Sequence, residues 1–561
     1  MSTRTLNGIG IGRGSAVGPV IRMPDPLPEP ADTASTLTAD EERIRVSASL
    51  AATAADIRIR GEKAGGAAKD VLEAQAFMAE DPTLVDDITA RLATGRTAER
   101  AVHEAFAGFR DLLLSMGGYM GERATDLDDV SQRVVAHLQG VAAPGVPDPD
   151  HAFVLVARDL APADTALLDL DKVLALITTD GGPTSHTAIL AREKAIVAVV
   201  GVAAATDLAD GETVVVDALT GAVTVAPTPE EESAARDAIA ARKARVDVPT
   251  GPGALSDGTA IPLLANLGSA NLGSADGASD AVEKGAEGVG LFRTEFLFLD
   301  ATSAPTVDEQ RAHYTRLLEA FPGQKVVVRA LDAGADKPLS FLNDADEENP
   351  ALGLRGLRAL RANEQILRDQ LTALAQADAA TDADLWVMAP MVSTVEEARY
   401  FTALGRELGL KTVGVMVEVP SSALLADRIL ANADFASIGT NDLTQYTLAA
   451  DRLLGSVAAF QDPWHPAVLR LVQEVGTAGR ALGKPVGICG EAAADPLLAV
   501  VLGGLGATSL SKAPAALADV RAELALHTRE EAEALAAVAL AADSAVAARA
   551  AVTAASAPAT V

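Results

Sequence analysis

Apolar positions change their spacing along the chain, and each change predicts a different kind of element. Between Gly8 and Val20, in G-I-G-I-G-R-G-S-A-V-G-P-V, glycine alternates with small apolar residues, which predicts strand and turn. A dinucleotide fingerprint would need a helix next, but Pro24, Pro26, Pro28 and Pro30 interrupt the chain instead. From roughly Thr38 to His137 the spacing becomes helical, as in A-D-E-E-R-I-R-V-S-A-S-L-A-A-T-A-A-D-I and A-E-R-A-V-H-E-A-F-A-G-F-R-D-L-L-L, and predicts a helical subdomain. After P-G-V-P-D-P-D the texture turns to short runs, F-V-L-V-A, V-L-A-L-I-T, A-I-V-A-V-V and T-V-V-V-D-A, separated by turn and helix signals, which predicts an α/β domain. Glu230 to Arg245 carries its acids early and its bases late, as the helix dipole prefers, and ends at P-T-G-P-G; it reads as a helical linker.

The rest of the chain repeats one rhythm, an apolar strand followed by a helical stretch. The candidate strands are P-L-L-A-N-L, G-V-G-L-F-R-T-E, K-V-V-V-R-A-L-D, L-W-V-M-A-P-M, T-V-G-V-M-V-E-V, D-F-A-S-I-G-T-N-D, P-V-G-I-C-G-E and A-T-S-L-S-K. Eight parallel strands with intervening helices close into a (β/α)8 barrel, whose active sites lie at the C-terminal strand ends; all of these strands but the last end in polar or chemically able residues. An open doubly wound sheet is the rival arrangement. The tandem N-L-G-S-A at Asn266 to Ala275 reads as a lengthened loop, and the last twenty or so residues, nearly all Ala, Val, Thr, Ser and Pro, as a tail that frays.

At 561 residues the chain exceeds what one core usually organises, so two or three domains are expected. No apolar run is long enough to cross a bilayer, and M-S-T-R-T-L-N-G lacks the core of a signal peptide, so a soluble, cytoplasmic protein without membrane insertion is expected. The formal net charge of −31 argues against a nucleic-acid partner and for a basic protein partner, although acidity also serves simply to keep an alanine-rich protein soluble. The lone cysteine, Cys489, rules out an internal disulfide and a cysteine zinc site.

Two groups of residues could carry chemistry. In T-D-G-G-P-T-S-H-T-A-I-L-A-R, His186 follows a glycine turn and opens a helical run, with the hydroxyls of Thr184, Ser185 and Thr187 around it; the free N–H groups of a helix start attract an anion such as phosphate. A histidine there serves as a nucleophile or as a structural residue, and its local pattern leaves both open. The second group stands at the strand ends: Arg293 and Glu295, Arg329 and Asp332, Arg355 after N-P-A-L-G-L, Glu418, Asn441 and Asp442, Arg452, and Cys489. Guanidinium forks match carboxylate and phosphate oxygens, and two acids on adjacent strands can hold Mg²⁺ that also binds the substrate. A ring of structural ion pairs, and for Cys489 a small buried hydrophobe, are the bland alternatives.

From Gly8 to about Thr528 the sequence resembles the enzyme I family of the bacterial phosphoenolpyruvate-dependent sugar phosphotransferase system, in motif order and spacing. G-G-P-T-S-H-T-A-I-L-A-R looks like its phosphohistidine motif, and D-F-A-S-I-G-T-N-D-L-T-Q-Y-T-L-A-A-D-R like its second signature, with G-V-G-L-F-R-T-E-F-L-F, V-M-V-E-V-P and G-I-C-G-E between and beyond. The resemblance implies a multidomain α/β fold: a swivelling phosphohistidine domain at 1–32 and 141–228, an inserted helical subdomain at 33–140 that docks the phosphocarrier protein HPr, a linker at 229–255, a phosphoenolpyruvate-binding and dimerising (β/α)8 barrel at 256–540, and the alanine-rich tail at 541–561. It implies that His186 is phosphorylated, that Arg293, Arg329 and Arg452 clamp phosphoenolpyruvate with Arg355 nearby, and that Asn441 binds the substrate phosphate. Glu418 and Asp442 would hold Mg²⁺, although oxygen ligands suit Mn²⁺ as well, and Cys489 would protonate the enolate as pyruvate leaves. Thr165 and Arg123 match family positions near the phosphohistidine. A homodimer, release of pyruvate and the first step of sugar uptake complete the expectation.

Pro183 departs from the arginine that many relatives carry before T-S-H, which removes an anion contact. A phosphoenolpyruvate synthase or dikinase would need a nucleotide-grasp domain, for which nothing before His186 is long enough, and a catalytically decayed regulatory homologue is the rival of another class.

Overall fold

Val154 and Val156 face one side of a sheet and Phe153, Leu155 and Ala157 the other, and both sides are buried, which is why this run reads as continuously apolar. The computed structural model describes residues 3–12, 14–24, 26–64, 66–116, 124–141, 143, 145–160, 164, 168–181, 187–188, 191, 196–246, 251–268, 275–298, 301, 303–333, 339, 341–342, 347–451, 457 and 460–556. They form two units, Met1–Ala240 and Ala241–Val561.

In the first unit the strands are β1 (Arg4–Asn7), β2 (Ile9–Ile11), β3 (Ser15–Arg22), β4 (Phe153–Ala157), β5 (Val173–Thr178), β6 (Val197–Val200), β7 (Thr213–Asp217) and β8 (Ala222–Val225). Their order in the sheet is β1-β8-β7-β3-β4-β5-β6-β2. The centre, β3 to β6, is parallel, and the flanking pairs are antiparallel. The glycine-rich opening is strand and turn, as its alternation predicts.

Between β3 and β4 the chain runs through helices Ala39–Ala64, Gly66–Ala79, Pro82–Leu92, Ala98–Met116 and Ala124–Gln139. They enclose a core of their own, with Ile57, Leu84, Ile88, Val102, Phe106 and Val130 buried. Each such side chain contributes on the order of 1.5–3 kcal/mol of burial. Asp81 caps the third helix by accepting from the N–H groups of Thr83 and Leu84, with Pro82 in the first turn. The charged run of the expected linker is helix Pro229–Val246.

The second unit is the barrel. Strands β9 (Leu263–Leu267), β10 (Gly288–Phe292), β11 (Lys325–Arg329), β12 (Asp384–Ala389), β13 (Thr412–Val417), β14 (Ala436–Ile438), β15 (Val486–Ile488) and β16 (Ser509–Lys512) match the eight apolar runs of the sequence, β12 starting one residue earlier than its run. Every neighbouring pair is parallel, and β16 pairs β9 to close the ring. An open sheet is thereby excluded. Leu291, Val327, Met388, Met416, Phe435 and Cys489 fill the interior, while the outward residues pack against the surrounding helices. Capping boxes at Thr306 with Glu309, Thr394 with Glu397 and Thr528 with Glu531 set the starts of three of those helices.

Two expectations are corrected. The run D-F-A-S-I-G-T-N-D is strand only to Ile438; a helix, Thr440–Leu448, opens right after Gly439. The alanine-rich tail does not fray over its described length, because alanine is the strongest helix former: Ala545–Ser556 is a helix that buries Ala545, Ala548 and Val552 in the barrel's outer core. Among the described residues no helix is long and apolar enough to cross a membrane.

Candidate active site

Parallel barrel strands deliver their C-terminal residues to one mouth, and the charged side chains of the sequence gather there. Arg293 follows β10, Arg329 ends β11, Glu418 follows β13 and Cys489 follows β15. Asn441 and Asp442 lie in the first turn of helix Thr440–Leu448, and Arg355 on the connection after β11. All seven, with Asp332, line one cavity of about 120 Å³. His186, Thr165, Arg123 and Arg452 lie outside the described residues.

The arginines are held by carboxylates. Arg329 Nη2 donates to Glu295 Oε1 at 2.6 Å and its Nη1 stands 3.1 Å from Asp332 Oδ2. Arg355 Nη2 donates to Asp332 Oδ2 at 2.9 Å, and its Nη1 to Asp442 Oδ1 at 3.1 Å and to the hydroxyl of Tyr446 at 3.2 Å. Tyr446 in turn donates to the carbonyl of Ala351, anchoring the loop that carries Arg355. Burial works against both guanidinium charges, but Glu295 and Asp332 around Arg329, and Asp332 and Asp442 around Arg355, outweigh it and hold both above the ordinary value. The result is a buried lattice of alternating charge whose members are already oriented. Gly268, at φ 119°, lets the end of β9 approach Arg293: a Cβ there would stand 2.7 Å from the Cβ of Arg293.

Glu418 is fully buried, and the backbone N–H of Met391 donates to its Oε1 at 2.7 Å. Its Oε2 is buried with no hydrogen-bond partner. Burial first, then Asp442 and Asp332, push this carboxyl up to about 8, with Arg329 and Arg355 pulling the other way. Gly439 leaves room beside the orphaned oxygen, since a Cβ there would come within 2.8 Å of it. A buried, unsatisfied carboxylate oxygen with a second carboxylate in the same cavity fits a hard divalent cation. Among the described residues no group of three His, Cys, Asp or Glu side chains is disposed to enclose a metal alone. A cation on Glu418 and Asp442 would therefore take further ligands from substrate and water, as Mg²⁺ commonly does.

Cys489 is 2 % exposed, and burial pushes its thiol up to about 11, so it is protonated near neutrality. Its Sγ lies 3.5 Å from the carbonyl of Ile438, and its own carbonyl accepts from Asn266 Nδ2 at 3.0 Å. Asn441 Oδ1 accepts from the N–H of Glu491 at 3.0 Å. The arrangement offers cationic donors for a small polyanion, two acids for a cation and a neutral proton donor at one mouth.

Comparison with known proteins shows the family of the whole chain. The model of the PEP-utilising enzyme, PEP-binding domain matches residues 243–529, that of the mobile domain 149–221, and that of the N-terminal domain 7–123. The phosphoenolpyruvate-protein phosphotransferase of Streptomyces coelicolor is 53% identical, over 97% of this chain and 98% of that protein. The chain belongs to the phosphoenolpyruvate-protein phosphotransferase family. Relatives of the same name from Haloferax volcanii, 40% identical over 94% of both chains, and Bacillus subtilis, 36% identical over 94% of this chain and 95% of that one, match it almost end to end.

Around this cavity, sequence reasoning missed Met391 and Tyr446. Met391 acts through its backbone, at φ 54°, which no residue type announces. Tyr446 lies inside the second signature, D-F-A-S-I-G-T-N-D-L-T-Q-Y, and a tyrosine about one turn of helix beyond the chemically able Asn441 and Asp442 was the available signal.

Proposed function

We propose that the chain is the cytoplasmic enzyme that moves a phosphoryl group from phosphoenolpyruvate to His186, releases pyruvate, and passes the group to the phosphocarrier protein HPr. The observation that carries this reading is the gathering of Arg293, Arg329, Arg355, Glu418, Asn441, Asp442 and Cys489 around one cavity at the barrel mouth. Phosphoryl transfer asks a protein chiefly for in-line placement and for charge on the equatorial oxygens, and pre-oriented arginines provide both. Arg452 would add a further cation. Glu418 and Asp442 would hold Mg²⁺, or Mn²⁺, which when bound polarises the substrate's oxygens.

The neutral imidazole of His186 attacks phosphorus; the bond from phosphorus to the bridging oxygen breaks, and its electron pair stays with the enolate of pyruvate. The enolate carbon then takes the proton of the Cys489 thiol, which recovers one from water. A thiol kept protonated by burial suits that step. Thr165 and Arg123 would contact the phosphohistidine, the helices between β3 and β4 would dock HPr, and the barrel would carry a homodimer contact.

Incubation with labelled phosphoenolpyruvate, with and without HPr, tests the reading. Acid-labile label on the peptide containing His186, moving to HPr as pyruvate accumulates, is expected. Label that persists after His186→Ala would overturn it.

A further inference from the structure

Gln370 does not line the substrate cavity, yet its side chain is fully buried and every polar atom of its amide is engaged. Its Oε1 accepts from the backbone N–H of Leu331 at 2.9 Å. Its Nε2 donates to Thr294 Oγ1 at 3.1 Å and to the hydroxyl of Tyr314 at 3.0 Å. Thr294 Oγ1 donates onward to the carbonyl of Arg329 at 3.1 Å. Tyr314 donates to Gln310 Oε1 at 3.2 Å, and Gln310 Nε2 to the carbonyl of Pro305 at 2.9 Å. Thr294 and Tyr314 are fully buried too.

The network sits where two strands run out of ladder. The N–H of Ala330 still bonds to the carbonyl of Met388, but that of Leu331 goes to Gln370 and that of Asp332 to Glu295 Oε1, at 3.2 Å. One amide on helix Glu364–Ala379 thus extends β11 past the barrel rim and ties it to Thr294, which stands between Arg293 and Glu295. The guanidinium of Arg329 is fixed at its tip by Glu295 and Asp332, and its carbonyl by the hydroxyl of Thr294, to which the Gln370 amide donates while holding Leu331 two residues on.

We infer that Gln370, acting through Thr294, is a positioning residue that sets the angle at which Arg329 and its neighbours present themselves to the phosphoryl donor. The inference rests on the proposed phosphoenolpyruvate site. Displacement of a substrate-holding group by even 1 Å can cost a large factor in rate or affinity, so the amide has leverage although it touches no substrate.

The test is calorimetric binding of phosphoenolpyruvate with Mg²⁺ to the full-length protein and to Gln370→Met, Thr294→Val and Thr294→Ser, with the unfolding temperature of each. Gln370→Met and Thr294→Val should bind about tenfold more weakly, the range typical of groups that orient ligands from behind. Thr294→Ser keeps the hydroxyl and should bind as the parent does, even though it loses a buried methyl. Affinity will then follow the hydrogen bonds while stability follows packing, which a merely structural role cannot produce. If Gln370→Met does not fold, the two threonine variants decide. Parent-like affinity in Thr294→Val, or equal loss in Thr294→Ser and Thr294→Val, would overturn the inference and leave the proposed function intact. A parent that binds no phosphoenolpyruvate would overturn both.

Discussion

Met391 donates its backbone N–H to Glu418 Oε1 from a left-handed conformation, φ 54°, at a distance of 2.7 Å. That conformation costs a methionine about 1–2 kcal/mol, and here it turns one carboxylate oxygen inward and leaves the other in the cavity. Glu418→Gln keeps an acceptor for Met391 and removes the charge. The carboxyl is raised from 4.5 to about 8. Its proton is therefore bound more tightly in the folded state, and that stabilisation is complete below 4.5 and lost as pH rises to about 8. With divalent cations removed, the parent should lose melting temperature relative to Glu418→Gln across that window, and added Mg²⁺ should restore only the parent. Pyruvate formation by Glu418→Gln should fall by at least about a hundredfold. Parallel pH profiles in calorimetry would contradict this account of the carboxyl.

Cys489 carries a thiol pushed up to about 11 by burial. Cys489→Ala should still bind phosphoenolpyruvate but form pyruvate some 10²–10⁴-fold more slowly, the usual contribution of a placed acid. In the parent, iodoacetamide should react far more slowly at pH 8 than with a free thiol, because little thiolate is present. Stopped-flow pyruvate release and timed alkylation measure both. An alkaline loss of activity centred near pH 8 that vanished in Cys489→Ser would show the thiol titrating too early for this role.

Arg355 bridges Asp332 and Asp442 with its two terminal nitrogens, at 2.9 and 3.1 Å, and all three side chains are buried. Arg355→Ala removes the cation between two buried carboxylates, and a loss of about 3 kcal/mol is expected. Arg355→Lys should recover only part of it, since one ammonium cannot reproduce a fork spanning both acids. Guanidinium chloride unfolding of the three proteins gives the comparison; a lysine variant as stable as the parent would mean that the fork geometry is unimportant.

The strands were legible because parallel strands buried on both faces are apolar throughout, as K-V-V-V-R and T-V-G-V-M-V are, and their number, eight with helices between, pointed to a barrel. The cavity was legible for the same reason: Arg329 and Glu418 are charges standing where an apolar run stops. Their proposed roles come from resemblance, since spacing alone could not separate a substrate clamp from an ion pair. Gln370 was not legible. In E-Q-I-L-R-D-Q-L-T-A-L it is one polar residue among several, and only the third dimension places its amide under Arg329 while Gln365 stays at the surface. The tail misled for a related reason: alanine-rich composition says nothing about whether a surface waits to cover Ala548 and Val552.

Cutting the chain near Gly251 separates the two half-reactions. Residues up to Ala240 hold the sheet with its two cores and the helical core, while the barrel's core gathers residues from Leu255 to Val552, so each piece has what it needs to fold alone. The N-terminal piece contains His186 and the proposed HPr-docking helices, and should accept phosphate from phosphorylated HPr. It should be inert toward phosphoenolpyruvate, because Arg293, Arg329, Arg355, Glu418, Asp442 and Cys489 are all in the other piece. The C-terminal piece should bind phosphoenolpyruvate with Mg²⁺ and transfer nothing. Circular dichroism establishes folding, and exchange of labelled phosphate with phospho-HPr reads the first half-reaction directly. A folded N-terminal piece that takes no phosphate would mean that carrier docking needs the barrel, and the helices between β3 and β4 would lose their assigned role.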